Sequence, residues 1–432
     1  MNKGHESYTV RPSRLEGQVQ VSGAKNSSLH LLVASLLTPK SIQLLNYPDT
    51  LLDAIVQVEM LEILGKRCDV SSGRITIYEE CQLSNKLDYR GRSIRNTLLI
   101  LGALTARTGA GAVPLPGGCK LGERKYDLHV QVLESLGARV WKDGNLLCAE
   151  SSSGLHGAEI HLPLRSTGAT ENAILAATLA SGTTRIWSPH MRPEMLDLIA
   201  MLKTMGARIE IRGQESLIIH GVTELGGAMH RVISDPVEAL TWFIGSVITG
   251  GDVEILGFPH QHLEIPLIHL RESGAKFYRC ADRLIVRGGQ PFPLDISTGP
   301  YPGINSDMQP LFAVYGANAT GQTRIVDLRF PDRYEYMNQL GRMGLEFEFV
   351  GNMLRIIGGN RLKGTAVTAL DLRAGIALVL AGLTAEGTTR VAEAWQIERG
   401  YSHFVEKIQA LGGQVEPTAG EGDDALRDFP YR

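Results

Sequence analysis

Ser166-Thr-Gly-Ala-Thr-Glu-Asn-Ala-Ile-Leu-Ala-Ala-Thr-Leu-Ala180 runs straight into Ser181-Gly-Thr-Thr-Arg-Ile-Trp187. The first segment opens on cap-type residues and then turns almost wholly apolar, which predicts a buried helix. Gly182 breaks the pattern, and Arg185-Ile-Trp187 reads as a short strand. Met195 to Met205 spaces its apolar residues as an amphipathic helix. Gly206 stands just past its end, where a left-handed residue closes a helix. Ala207-Arg-Ile-Glu-Ile then alternates as a half-exposed strand.

The same cadence occurs six times along the 432 residues. Closing glycines fall at Gly65, Gly137, Gly206, Gly274, Gly344 and Gly412, at intervals of 72, 69, 68, 70 and 68. A period near 70 held over the whole chain marks an internal repeat. The last copy repeats the third: an apolar helix from Asp371, then Gly387-Thr-Thr-Arg-Val, then a helix ending at Gly412. The apolar helix of each copy is expected inside, the amphipathic one outside, with sheets between. Six copies exceed one ordinary core, so two globular halves of three copies each are expected. The division falls near His230 to Ser234: residues 23–232 form one half, residues 1–22 and 233–432 the other. Tyr8-Thr-Val-Arg and Val19-Gln-Val are expected to cross over and complete the second half. A solenoid fits less well because long, irregular insertions separate the helices.

Composition narrows the function. Hydrophobic content of 43%, charged content of 21% and a net charge of −3 are those of a globular protein with no basic field for nucleic acid. No apolar run is long enough to span a bilayer, and Met1 to Ser7 lacks the apolar core of a signal peptide. Cys68, Cys81, Cys119, Cys148 and Cys280 are odd in number and scattered, which fits a reducing cytoplasm. No His/Cys/Asp set has metal-ligand spacing. The tail from Glu416 is polar and reads as partly disordered.

Chemistry concentrates in Pro114-Leu-Pro-Gly-Gly-Cys119-Lys-Leu-Gly-Glu-Arg124-Lys-Tyr-Asp127-Leu-His129. Glycines and prolines forbid regular structure here, and Lys120 and Arg124 flank the sulfur. Cations lower a thiol pKa and attract anions, so the pattern favours a reactive thiol on a mobile loop over an inert surface cysteine. The openings of the copies carry Lys25-Asn26, Arg95-Asn96, Ser166-Thr167-Gly168, Asp307, and Asp371 with Arg373; Arg399 and Tyr401 follow the last strand. Helix N-termini with converging cations suit a substrate bearing phosphate and carboxylate.

These residues resemble the enolpyruvyltransferases, in particular those acting on UDP-N-acetylglucosamine. Ser22-Gly-Ala-Lys25-Asn26-Ser-Ser-Leu is similar to their opening signature, and the Cys119 stretch to their active-site loop. Ser306-Asp307-Met-Gln, Asp371-Leu-Arg373-Ala and Glu398-Arg399-Gly-Tyr401 follow in the same order. The resemblance implies an α/β fold of two inside-out barrel domains, each of three βαβαββ repeats. It implies transfer of the enolpyruvyl group of phosphoenolpyruvate to a sugar hydroxyl, the first committed step of peptidoglycan precursor synthesis. Cys119 would be the general acid and Asp307 would take the hydroxyl proton. Lys25, Arg124 and Arg399 would hold the phosphate, Arg373 and Arg333 the carboxylate. Asn26 would bond the sugar. Arg95, Ser166, Thr167 and Gly168 would approach the nucleotide phosphates, and Arg124 to Leu128, with Lys125, Tyr126 and Asp127 between, the uridine. No cofactor or metal is implied. The partners are small molecules, with no nucleic acid or membrane, and a monomer or weak homo-oligomer.

The departures from the family pattern cluster on the acceptor side. Lys125 and Tyr126 replace a proline and an aliphatic residue; Arg329 stands where a small aliphatic residue approaches the sugar nucleotide; Ile94-Arg95-Asn96-Thr97 replaces the usual Met-Arg-Ala-Ser. The donor-side residues are intact. A second acceptor therefore stays open, another uridine nucleotide such as UMP, as in nucleoside-antibiotic pathways. A silent nucleotide-sugar-binding homologue fits less well with Cys119 and Asp307 in place.

Overall fold

Glu159–His161 runs parallel to Thr183–Trp187, which pairs antiparallel with Ser216–His220, which in turn pairs with Arg208–Arg212. Helices Thr167–Thr178 and Pro193–Thr204 lie between these strands in the chain. The third copy is therefore a βαβαββ unit. Its first helix is buried from Ala169 to Thr178, and Ser166 caps it by accepting from the Ala169 N–H at 3.4 Å. All six closing glycines take the left-handed conformation, with φ between 82° and 106°. An L side chain is strained there, which is why the period is written in glycine.

The computed structural model describes residues 5–92, 94–115, 126–330 and 333–418. The unit recurs, but three sheets borrow a strand from far along the chain. Ala228–Arg231 returns to run parallel to Ile42–Leu45 in the first copy. Glu16–Gln20 supplies the parallel strand of the fourth, beside Asp252–Leu256. Ser7–Arg11 fills the sixth, between Thr389–Ala392 and Gln414–Thr418. The N-terminal strands thus cross over as expected. The pairing of Gln414–Thr418 corrects the expected start of the disordered tail, because backbone bonds to residues 7–11 hold the chain through Thr418. In the second copy the parallel strand shrinks to a single bridge, Lys86 to Ala112.

Buried apolar side chains form two clusters. One gathers residues from Leu29 to Val232; the other gathers Tyr8 to Val21 with Val237 to Val415. At the centre of each lie the three apolar helices, and Leu372–Thr384 is buried from Leu372 to Leu383. The chain passes between the two lobes twice, side by side. The Ala24 N–H donates to the Ile233 carbonyl at 2.7 Å and the Asp235 N–H to the Ser22 carbonyl at 2.9 Å. The first turn of helix Lys25–Ala34 therefore starts directly on the crossing.

Candidate active site

Lys25 is the first residue of its helix, and its Nζ lies 2.8 Å from Asp53 Oδ2. From the other lobe, Arg399 donates through Nε to Asp53 Oδ1 at 3.1 Å and through Nη2 to Oδ2 at 3.3 Å. Burial works against the Asp53 charge, but Lys25 and Arg399 outweigh it and hold the carboxyl well below the usual carboxylate range. A clamp surrounds this triad. Thr50 and Ser402 share a hydroxyl bond of 2.7 Å, His403 Nε2 lies 3.1 Å from Asp49 Oδ1, and Arg92 sits 4.3 Å over the Trp395 ring.

A second triad lies wholly in the other lobe. Asp307 occupies the short 3-10 turn Ser306–Met308 ahead of helix Gln309–Ala317. Arg333 Nη1 lies 2.7 Å from its Oδ1, and Arg373 Nη2 3.5 Å from its Oδ2. Enclosure by protein again opposes the charge, yet Arg333 and Arg373, with Arg192 of the first lobe beyond them, keep Asp307 far below the ordinary carboxylate range. The Asp307 side chain retains 26% of its surface, so a ligand can reach it; the two arginines are almost closed off, at 6% and 4%. Burial pushes the Tyr401 hydroxyl up to about 12, and that hydroxyl is 2.8 Å from Thr241 Oγ1.

The third region surrounds the start of helix Thr167–Thr178. Thr167 Oγ1 lies 2.8 Å from His190 Nδ1, and a Cβ on Gly168 would come within 2.9 Å of His129 Nε2. Burial, then Arg192, Arg329 and Arg165, hold His190 down to about 4. Burial and Arg95 hold His129 down to about 3. Arg165 Nη1 reaches Gln214 at 3.5 Å, and Gln214 donates to the Tyr301 carbonyl of the opposite lobe at 3.1 Å. Arg192 pairs with Glu194 at 3.2 Å.

Among the residues the sequence nominated, the structure gathers Lys25 with Arg399, and Asp307 with Arg333, Arg373 and Asp371. Asp371 is foremost a helix cap: its Oδ1 accepts from the Arg373 and Ala374 N–H groups at 2.7 and 2.8 Å, and its Oδ2 lies 3.8 Å from Arg333. Asn26 follows Lys25, half-buried; Tyr126, Asp127 and Leu128 open helix Asp127–Ser135. Cys119, Arg124 and Lys125 lie outside the described residues, so the expected meeting of Cys119 with Asp307 does too. Sequence reasoning missed Asp53 and Arg192. Asp53 had no local signal, since Arg399 stands 346 positions away. Among the described residues no group of three or more His, Cys, Asp and Glu could hold a metal ion, and no helix is long and apolar enough to cross a membrane.

The family model for EPSP synthase (3-phosphoshikimate 1-carboxyvinyltransferase) matches residues 10–408. The chain belongs to this family. Within it, the chain is 37% identical over 418 residues to a UDP-N-acetylglucosamine 1-carboxyvinyltransferase of Caulobacter sp. (strain K31), covering 95% of this chain and 96% of that one. It is 38% identical over 407 residues to UDP-N-acetylglucosamine 1-carboxyvinyltransferase 2 of Carboxydothermus hydrogenoformans, covering 93% and 97%. The enolpyruvyl transferase NikO from Streptomyces tendae superposes with a TM-score of 0.85 at 23% identity, over 96% of this chain and 99% of NikO. EPSP synthase from Acinetobacter baumannii superposes at 0.77 with 20% identity, over 95% and 100%. At those identities the likeness is one of fold, the two-domain α/β fold of the enolpyruvyl transferases.

Proposed function

We propose that this family member transfers the enolpyruvyl group of phosphoenolpyruvate to a hydroxyl of UDP-N-acetylglucosamine and releases inorganic phosphate. One observation carries the reading: an ionised, ligand-accessible Asp307 is held between two nearly closed-off arginines, in the same chain as a separate Lys25–Arg399 pair from opposite lobes. The first set suits a carboxylate beside a hydroxyl; the second suits a phosphate. The relatives' names supply the acceptor.

The reaction is an addition followed by an elimination. Cys119 gives its proton to the phosphoenolpyruvate methylene carbon, while the acceptor hydroxyl adds to the adjacent carbon and loses its proton to Asp307. In the elimination the Cys119 thiolate takes back a methyl proton of the tetrahedral ketal, the proton held by Asp307 leaves on the departing phosphate, and the enol ether remains. Asp307 is a weak base while Arg333 and Arg373 hold it. A substrate carboxylate that binds those arginines competes for their charge, and the Asp307 pKa rises toward the range a general base needs. Lys25, Arg124 and Arg399 hold the phosphate. Asn26, Arg95, Ser166, Thr167 and Gly168, with Lys125 to Leu128, hold the nucleotide sugar. The two lobes act as domains, residues 23–232 and residues 1–22 with 233–432, and the two separate apolar cores support that division. The setting is the cytoplasm, and the loop thiol is the target of an epoxide such as fosfomycin.

A second reading has its own support. Arg165, Arg192 and Arg329 bear on His190 from both lobes, and neither Arg165 nor Arg329 has a carboxylate partner among the described residues. Such a patch suits a smaller acceptor whose charge is concentrated on one terminal phosphate, such as UMP. Phosphate release from phosphoenolpyruvate decides between the two. Release with UDP-N-acetylglucosamine supports the first reading; release with UMP alone replaces it; no release with any uridine nucleotide overturns both.

A further inference from the structure

Helix Lys25–Ala34 begins after Ala24, a residue with no side chain to cap it. Its cap comes from the other lobe. Asp235 Oδ2 accepts from the Lys25 N–H at 3.2 Å, while Asp235 Oδ1 accepts from the Val237 and Glu238 N–H groups at 2.8 and 3.1 Å. One carboxylate therefore caps helix Pro236–Ile248 with one oxygen and helix Lys25–Ala34 with the other. Asp235 is 5% exposed, and its charge also bears on Arg373 and Tyr401. The crossing around it is bonded throughout. Glu238 Oε2 accepts from the Ser22 N–H at 3.0 Å, and Glu238 Oε1 accepts from Lys407 at 2.6 Å. Asp197 accepts from Ser27 Oγ and, at 3.3 Å, from the Ile233 N–H.

We propose that Asp235 is a positioning residue for enolpyruvyl transfer: it fixes the backbone of Lys25 relative to Arg373, so that the two cations meet one substrate at a set separation. This rests on the reading that Lys25 grips the phosphate of phosphoenolpyruvate and Arg373 its carboxylate. Lys25 is then held at both ends, its N–H by Asp235 and its Nζ by Asp53. A helix start that shifts by an ångström carries its cation with it, and misplacement on that scale is costly for a reaction that depends on orientation.

Asparagine separates the two caps. It is as good an N-cap as aspartate, so Asp235→Asn keeps helix Pro236–Ile248 capped through Oδ1. Its Nδ2 then faces the Lys25 N–H, donor against donor. Asp235→Ser likewise caps its own helix and has no second oxygen. In both variants KM for phosphoenolpyruvate is expected to rise about tenfold, the weight of one hydrogen bond to a charged acceptor. KM for the nucleotide should rise less, because Asn26 is the one residue assigned to it that follows Lys25 on that turn. Hydrogen exchange of the full chain should quicken in peptides covering residues 22–34 and not in those covering 236–248. Exchange that quickens equally in both, with a lower melting temperature and both KM values unmoved, would reduce Asp235 to an ordinary cap and overturn the proposal. Unchanged exchange at residues 22–34 would overturn it as well. If the wild type releases no phosphate with any uridine nucleotide, the functional reading fails, and the exchange measurement still decides whether Asp235 sets the start of the Lys25 helix.

Discussion

Asp307 and Asp53 are each pulled to the ionised form by two cations, and the two sites differ in what a ligand can reach. Asp307 is a quarter open and can meet a hydroxyl; Asp53 is 3% exposed and acts as counter-charge. Asp307→Ala should therefore abolish phosphate release while leaving nucleotide affinity close to that of the wild type in a calorimetric titration. Near-normal turnover would remove Asp307 from the mechanism. Asp53→Ala removes the buried carboxylate between Lys25 and Arg399, although Arg399 keeps its bond to Gln396 at 3.0 Å, and this should cost about 3 kcal/mol of stability. The same vacancy should make inorganic phosphate a stronger ligand, so phosphate should raise the melting temperature of the variant more than that of the wild type. An equal rise in both would mean that these cations do not face the phosphate site. Cys119→Asp should keep part of its turnover and resist an epoxide that alkylates the loop thiol. Inactivation at the wild-type rate would point to another cysteine.

The elements follow from local chemistry that repeats. Apolar openings bury the first helix of each copy, and the closing glycine lets the second helix turn back onto its sheet. Close approach adds a further constraint. Gly157 precedes the parallel strand of the third copy, and a Cβ there would lie 2.3 Å from the Thr183 carbonyl oxygen. Gly227 and Gly364 meet Ser41 and Thr388 in the same way, with a Cβ 2.5 Å from each carbonyl oxygen. A backbone atom cannot swing aside as a side chain does, so Gly157→Ala should destabilise the chain by about 2–3 kcal/mol, read as a lower urea midpoint with an unchanged slope. A variant as stable as the wild type would show that the strand can shift at little cost. These three glycines are not among those that mark the period, and their role in spacing two strands was not legible, because the partner backbone lies 24 to 186 residues away, set by the pairing alone.

At the scale of the molecule, uncharged histidines lie inside the first lobe. Burial, with Arg192 and Lys25, holds His30 down to about 3; His129 stands at about 3 and His190 at about 4. Each binds its proton less readily folded than unfolded, where the usual value is 6.5. Their stabilising contribution is whole above that value and is lost as pH falls toward the folded values. Each titrating histidine lowers stability by up to about 1.4 kcal/mol per pH unit in that window. Urea unfolding at pH 7.5, 6.0 and 5.0 should show midpoints that fall steadily; a flat profile would mean that these rings reach water. The lobes also meet at two separated places, Asp49 and Thr50 against Ser402 and His403, and Gln214 against Tyr301. The site between them is thus bracketed by polar contacts that water can replace, as a cleft that admits substrates requires.

The period, the buried helices, the crossing N-terminal strands and the charged residues Lys25, Asp307, Arg373 and Arg399 that the structure groups could all be read along the chain. They depend on local pattern: apolar spacing, caps, glycine and short signatures. Which carboxylate answers which cation could not be read. Asp53 joins Lys25 to Arg399, Asp235 caps a helix whose first residue lies 210 positions earlier, and the charge of Arg192 bears on Asp307 from the other lobe. Buried charges must find partners wherever the fold brings them. Pairing across two lobes is a property of how six copies stack and cross, and no stretch of the chain contains it.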